Sequence, residues 1–261
     1  MKNELQRIKN KYITHGKILS CSKKIGNFLY KAITKAIEND APDFYYLNNN
    51  ICYCFEHFEF DASKKTRTKG SNFRKQEKEA DKTIDLKSNE LLSTKHAKEN
   101  EITNYGTISA EIKSNYQKNF WKQNFIDVFL KHYNKLDEYR NNLTLKGVVN
   151  TNTKIKNIFV IEDVTEFGVF EATDKNKIFN PYDFDFCIDL LINSKNVDYF
   201  IFLNKSQQFV FIVNKTAIKN LKKCCYEFEK TEIFFFNNIQ VISALIAIPQ
   251  NILNKNNDIE E

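Results

Sequence analysis

Apolar residues recur at three- and four-residue spacings through SKKIGNFLYKAITKAIEND, where Ile25, Phe28, Leu29, Ala32, Ile33, Ala36 and Ile37 share one face. That period predicts an amphipathic helix, so the first forty residues read as helical. Pro42 should end it, because the residue before a proline is pushed out of the helical region. The pattern then changes to DFYYL, an Asn-rich NNN and ICYCFEHFEFD, two aromatic runs about a turn. This is a hairpin signal, with Asp43 opening the first strand. From about Ser63 to Asn104 the chain is polar, and Ser71 suits the N-cap of a helix through the later seventies and eighties.

Helical periodicity returns in YQKNFWKQNFIDVFLKHYNKLDEYR, where Phe120, Trp121, Phe125, Val128, Phe129, His132, Tyr133 and Leu136 predict the packing face of one long helix. His132 lies on that face and reads as a core histidine with a hydrogen-bond partner. KNIFVIED (156–163) follows through a polar loop, the order of a crossover back to a sheet. TEFGVFEAT reads as a short strand, PYDFDFCIDLLINS as a helix begun by Pro181, and VDYFIFLN with QFVFIVN as a second hairpin. A short helix near 216–227 and a strand near 239–248 complete the pattern. The fold expected is α/β: one domain over 1–261 with a mixed central β-sheet flanked by helices. It carries a charged helical insertion at 63–105 and a frayed tail at 250–261.

Composition adds limits. The chain has 261 residues, 42% hydrophobic and 28% charged, enough for a sizeable core. No apolar run reaches the roughly 18–20 residues of a membrane span, and the start is polar, so a cytoplasmic protein without membrane contact is expected. Six cysteines fall at 21, 52, 54, 187, 224 and 225 without zinc-site spacing, and read as reduced structural thiols. The net charge of +6 is concentrated: KKTRTKGSNFRKQEK (64–78) has seven basic residues and one acid. No glycine-rich phosphate loop, G-x-S-x-G elbow or H-E-x-x-H is present, which removes the commonest nucleotide, serine-hydrolase and zinc-protease classes.

Candidate chemistry centres on the second strand of the first hairpin. Alternation puts Tyr53, Phe55, His57, Glu59 and Asp61 on one face, and Cys52, Cys54, Glu56, Phe58 and Phe60 on the other. A row of acids on a half-buried sheet needs a cation, a proton or open water. Oxygen ligands suit Mg²⁺ or Mn²⁺, and His57 would add affinity for softer ions.

A helix, then Pro42-Asp43 opening a strand, then a hairpin to a strand carrying acids resembles the PD-(D/E)XK nuclease superfamily, over PDFYYLNNNICYCFEHFEFD (42–61). The resemblance implies a restriction-endonuclease-like sheet and Mg²⁺-dependent cleavage of DNA phosphodiester bonds, in restriction or phage defence. It implies Asp43, Glu59 and Asp61 as metal ligands, with His57 as ligand or water-orienting group. Glu38, Glu56 and Glu162 are further acids, and Asp163 ends the same strand as Glu162. The family's lysine two residues after the acid is missing: Phe58 stands two after Glu56, and Asp61 two after Glu59. A lysine from the adjacent loop, Lys64, Lys65 or Lys69, would replace it, with Lys69 preferred. Lys64, Lys65, Arg67, Lys69, Arg74 and Lys75 would contact phosphates, giving salt-dependent binding of DNA in preference to RNA. The alternative is a degenerate, non-catalytic module that binds nucleic acid, a protein partner or a second copy of the chain.

Overall fold

The computed structural model describes residues 4–9, 17–20, 22–66, 70–93, 102–113, 116–165, 169–171, 174–204, 209–235 and 239–249. From the N-terminus, α1 (Glu4–Ile8), β1 (Lys17–Ser20) and α2 (Lys23–Thr34) lead into β2 (Ile37–Glu38), β3 (Phe44–Asn48) and β4 (Ile51–Phe60). Next come β5 (Lys65–Thr66), β6 (Gly70–Ser71), α3 (Asn72–Ser93) and β7 (Ile102–Lys113). Then follow α4 (Lys118–Tyr133), α5 (Leu136–Leu145), β8 (Lys154–Asp163), β9 (Val169–Glu171), β10 (Asp174–Ile178) and α6 (Asp185–Asn193). The remaining elements are β11 (Tyr199–Asn204), β12 (Phe209–Asn214), α7 (Lys215–Leu221), β13 (Ile233–Phe235) and β14 (Ile239–Pro249).

The chain divides into two compact units, Met1–Ala62 with Tyr116–Phe236, and Ser63–Asn115 with Asn237–Glu261. The first is an α/β unit built on a seven-stranded mixed sheet of order β1-β12-β11-β8-β4-β3-β2. β2, β3 and β4 form an antiparallel meander, β8 pairs parallel to β4, and β11 pairs parallel to β8. The parallel step from β4 to β8 needs a crossover, which α4 and α5 supply. In the second unit β7 and β14 form a long antiparallel pair, and α3 packs against both.

Alternation along the central strands sorts the core of the first unit. One face presents Phe44, Phe55, Ile158, Val160, Ile201 and Leu203 to Leu29, Ala32 and Ile33 of α2. The other presents Phe58, Phe60, Phe159, Ile161 and Phe200 to Trp121, Phe125 and Phe129 of α4 and to Cys187, Ile188 and Leu191 of α6. Both faces of β8 and β11 are covered at their centres, so the runs Ile158–Ile161 and Phe200–Leu203 are continuously apolar, as buried parallel strands are. Phe129 meets Phe58, Phe125, Phe159 and Phe200 at ring-centroid distances of 5.2–6.3 Å.

Three sequence expectations change. The first forty residues are not one helix: β1 occupies Lys17–Ser20 and α2 ends at Thr34, well before Pro42. Ile37 continues the helical period, but it pairs with Tyr45 at the sheet edge, and strand pairing overrides the period. The long helix is broken at Asn134 and Lys135 into α4 and α5. The expected tail at 250–261 lies outside the described residues, as do Cys21, Arg67 and Lys69. The other five cysteines are free thiols, three of them buried. No helix among the described residues is long and apolar enough to cross a membrane.

Truncating the centre of the aromatic layer tests this packing. Phe129→Ala is expected to destabilise the protein by about 3–5 kcal/mol, measured by urea unfolding. A loss below about 1 kcal/mol would mean that the α4 face is not packed as described.

Candidate metal centre

β4 and β8 run side by side with Glu59 directly opposite Glu162 and His57 opposite Val160. Side chains two apart share a face, so His57, Glu59 and Glu162 gather on the α2 side, at the carboxyl ends of two adjacent parallel strands. In open α/β sheets that end is where ligands commonly bind. One donor atom from each of the three lies within 4.8 Å of the others. His57 Nε2 stands 3.1 Å from Glu162 Oε2, with both side chains fully buried, while Glu59 is half-buried. Two carboxylates side by side in a region of low dielectric repel, and each loses hydration, so a cation or a proton stabilises the arrangement. His57 supplies one such charge when protonated. A divalent cation would be another, and it would compete with Glu162 for Nε2.

The opposite face of the same strand holds a second pair, with Glu56 buried and His132 half-buried. Glu56 Oε1 is 2.5 Å from His132 Nδ1 of α4, and the imidazole stacks on Phe58 at 4.9 Å. Tyr139 of α5 is buried beside them; burial, and then the Glu56 charge, push its phenol above the ordinary range. His132, expected in the core, is half-buried at its edge, and its expected hydrogen-bond partner is an acid from the strand.

Further along, Asp163 accepts from the indole Nε1 of Trp121 at 3.0 Å and from the Thr165 amide at 2.9 Å. Complete burial nevertheless raises its pKa to about 6, with the Asp61 charge adding to the rise and the hydrogen bonds opposing it. Asp61 follows the end of β4 and is itself buried, and its backbone carbonyl accepts from Asn124 Nδ2 at 2.8 Å.

The residues expected at a metal site are therefore distributed among several places. His57, Glu59 and Glu162 converge. Asp43 and Asp61 are not in that group. Asp43 lies one step beyond the Phe44–Phe55 pair, beside Glu56, and its Oδ2 accepts from the His57 backbone amide at 2.7 Å. Glu38 sits on the edge strand β2 rather than on a helix, and its Oε1 accepts from the Leu5 amide at 3.3 Å. Of the basic stretch, Lys64 and Lys75 are exposed, Lys75 within 3.7 Å of Glu79, and Lys65 and Arg74 lie on β5 and α3. Sequence reasoning ranks Glu162 as an accessory acid because register is not visible in a single strand. The signal available is that both central runs, CFEHFEFD and KNIFVIED, close in acids. A groove of about 360 Å³ between Arg140, Asn157 and Asp198 is at the amino ends of β8 and β11, away from these donors.

Comparison with family models, with curated proteins and with solved structures finds no match.

Two measurements check this electrostatic picture. Asp163 has a folded pKa above its ordinary value, so the native state holds a proton that the unfolded chain has released between about pH 4 and 6. Its contribution to stability thus falls as pH rises through that window. Trp121 is the one tryptophan and bonds this carboxylate. Its fluorescence should titrate with a midpoint of about 6, and Asp163→Asn should flatten the titration; a flat wild-type profile from about pH 5 to 7 would contradict the burial. On the other face, His132→Ala strands the Glu56 carboxylate and should cost about 3 kcal/mol, whereas Glu56→Leu combined with His132→Leu should cost less. Chemical denaturation of both variants decides it, and the reverse ranking would refute the pairing.

Proposed function

We propose that the protein is a divalent-cation-dependent hydrolase of phosphodiester bonds, acting on DNA, with the cation held by His57, Glu59 and Glu162. The observation that supports this is the convergence of an imidazole and two carboxylates at the carboxyl ends of neighbouring parallel strands. Such a cation, when bound, neutralises phosphate charge and lowers the pKa of a water. Glu59, the least buried of the three, faces the incoming substrate, while Glu162 fixes the imidazole ring. Asp43 holds the strand at His57 through the amide and sets its position. The choice of phosphodiester as substrate rests on the resemblance of residues 42–61 to PD-(D/E)XK nucleases, and on the basic stretch that follows. A role in restriction or phage defence accords with that resemblance.

One observation favours a second reading. Asp43 and Glu56 are side by side, as the family's two acids are expected to be, but the lysine position is taken by Phe58, buried against His132 and Phe129. On that face the site is degenerate, and the protein would be a non-catalytic module that binds nucleic acid or a protein partner.

Glu59→Gln and Glu162→Gln should each lower Mn²⁺- or Mg²⁺-dependent cleavage of plasmid DNA at least about a hundredfold, the scale for losing a charge-stabilising group. Wild-type protein that leaves duplex DNA, single strands and RNA intact with either ion would reject the hydrolase reading in favour of the binding module. Cleavage lost in Asp43→Ala and Glu56→Gln but retained in the two glutamine variants would move the site to the other face of β4.

A further inference from the structure

We infer that the cation taken by His57, Glu59 and Glu162 is a first-row transition ion of the Mn²⁺ to Zn²⁺ series rather than the Mg²⁺ that the nuclease resemblance implies. This rests on reading the three residues as a metal centre, and it does not depend on what reaction they serve. Two features of the donor set carry it.

The first is chemical. One of the three donors is an imidazole nitrogen. Mg²⁺ prefers oxygen ligands throughout, whereas imidazole suits the later transition ions and strengthens binding along the series from Mn²⁺. The second is access to water. Mg²⁺ dehydrates reluctantly and usually keeps several waters of its octahedral shell, so its protein sites are mostly open carboxylates. Here the His57 and Glu162 side chains have no exposed surface, and they sit 3.1 Å apart on the sheet face that also carries Phe55, Val160 and Leu203. An ion entering between them must exchange most of its waters on that side for nitrogen and carboxylate oxygen. Transition ions accept three protein ligands with bonds of about 2.0–2.2 Å and keep an open position for water or substrate. A spread of at most 4.8 Å among the donor atoms closes onto such an ion by small side-chain rotations. Glu59, half-buried, leaves that open position on the solvent side.

Mn²⁺ is the probe of choice, since the thiols of exposed Cys224 and half-buried Cys225 would draw Zn²⁺ elsewhere. On the intact protein, electron paramagnetic resonance titration should find one Mn²⁺ per chain, bound at least about tenfold more tightly than Mg²⁺ measured by competition. Pulsed spectra of the wild-type Mn²⁺ complex should show coupling to an imidazole ¹⁴N, a readout that needs no variant. His57→Gln, checked for folding by circular dichroism, should remove the coupling and bring the two affinities together. Equal affinity for Mg²⁺ and Mn²⁺, or bound Mn²⁺ without nitrogen coupling, would overturn the inference. So would the absence of bound Mn²⁺, which would also remove the metal-centre reading. Nitrogen-coupled Mn²⁺ in a protein that cleaves no nucleic acid would sustain the inference and reject only the nuclease reading.

Discussion

The parallel pairing of β4 with β8 is the constraint on which the rest depends. It joins the N-terminal meander to the second half of the sheet across a crossover of two helices, and it fixes which residues of two apolar runs stand opposite each other. Because both strands are covered on both faces, any polar residue in them is committed to a partner within the core or at the strand end. Glu59 and Glu162 are neighbours only by virtue of this register. The candidate site is thus a property of the sheet and not of a loop, with the rigidity that a scaffold strand confers.

Much of the architecture is legible in the pattern of the chain. Alternation through ICYCFEHFEFD separates Glu56 from His57 and Glu59, and the structure keeps them on opposite faces, with His132 meeting Glu56 and Glu162 meeting His57. The hairpins and the return strand KNIFVIED are readable because aromatic and β-branched runs of strand length stand between turn residues. The helix period fails at Ile37 and at Asn134, where pairing with Tyr45 and a break before Leu136 decide the outcome. These are tertiary effects acting on segments whose local preference is ambiguous. Long-range register is not legible, and for that reason Glu162 ranks below Asp43 and Asp61 when only spacing within one hairpin is in view.

An aromatic residue at position 58 has a structural explanation. Phe58 is clamped between the edge of Phe129 and the face of His132, in a layer of aromatic rings that runs from Phe60 through Trp121 to Phe228. An ammonium group at position 58 would be placed in that layer, where Glu56 of the same face pattern is already tied to an imidazole. The core of this unit is built from rings on the α4 face of the sheet, and the converging donors lie on the other.

The two histidine–glutamate pairs have a bearing on how the chain finds its native alignment. They occupy consecutive positions of one strand and point in opposite directions, His57 toward the α2 layer and Glu56 toward the α4 layer. A slip of β4 by one residue exchanges the faces of every side chain it carries. Glu56 would then meet Leu29 and Ile33, His57 would meet Phe129, and the acids at 59 and 162 would no longer be level. An all-apolar strand in that place would tolerate such a slip with little loss, since hydrophobic contact is undirected. The polar pairs make misaligned sheets expensive, so they act as a proofreading device for strand assembly.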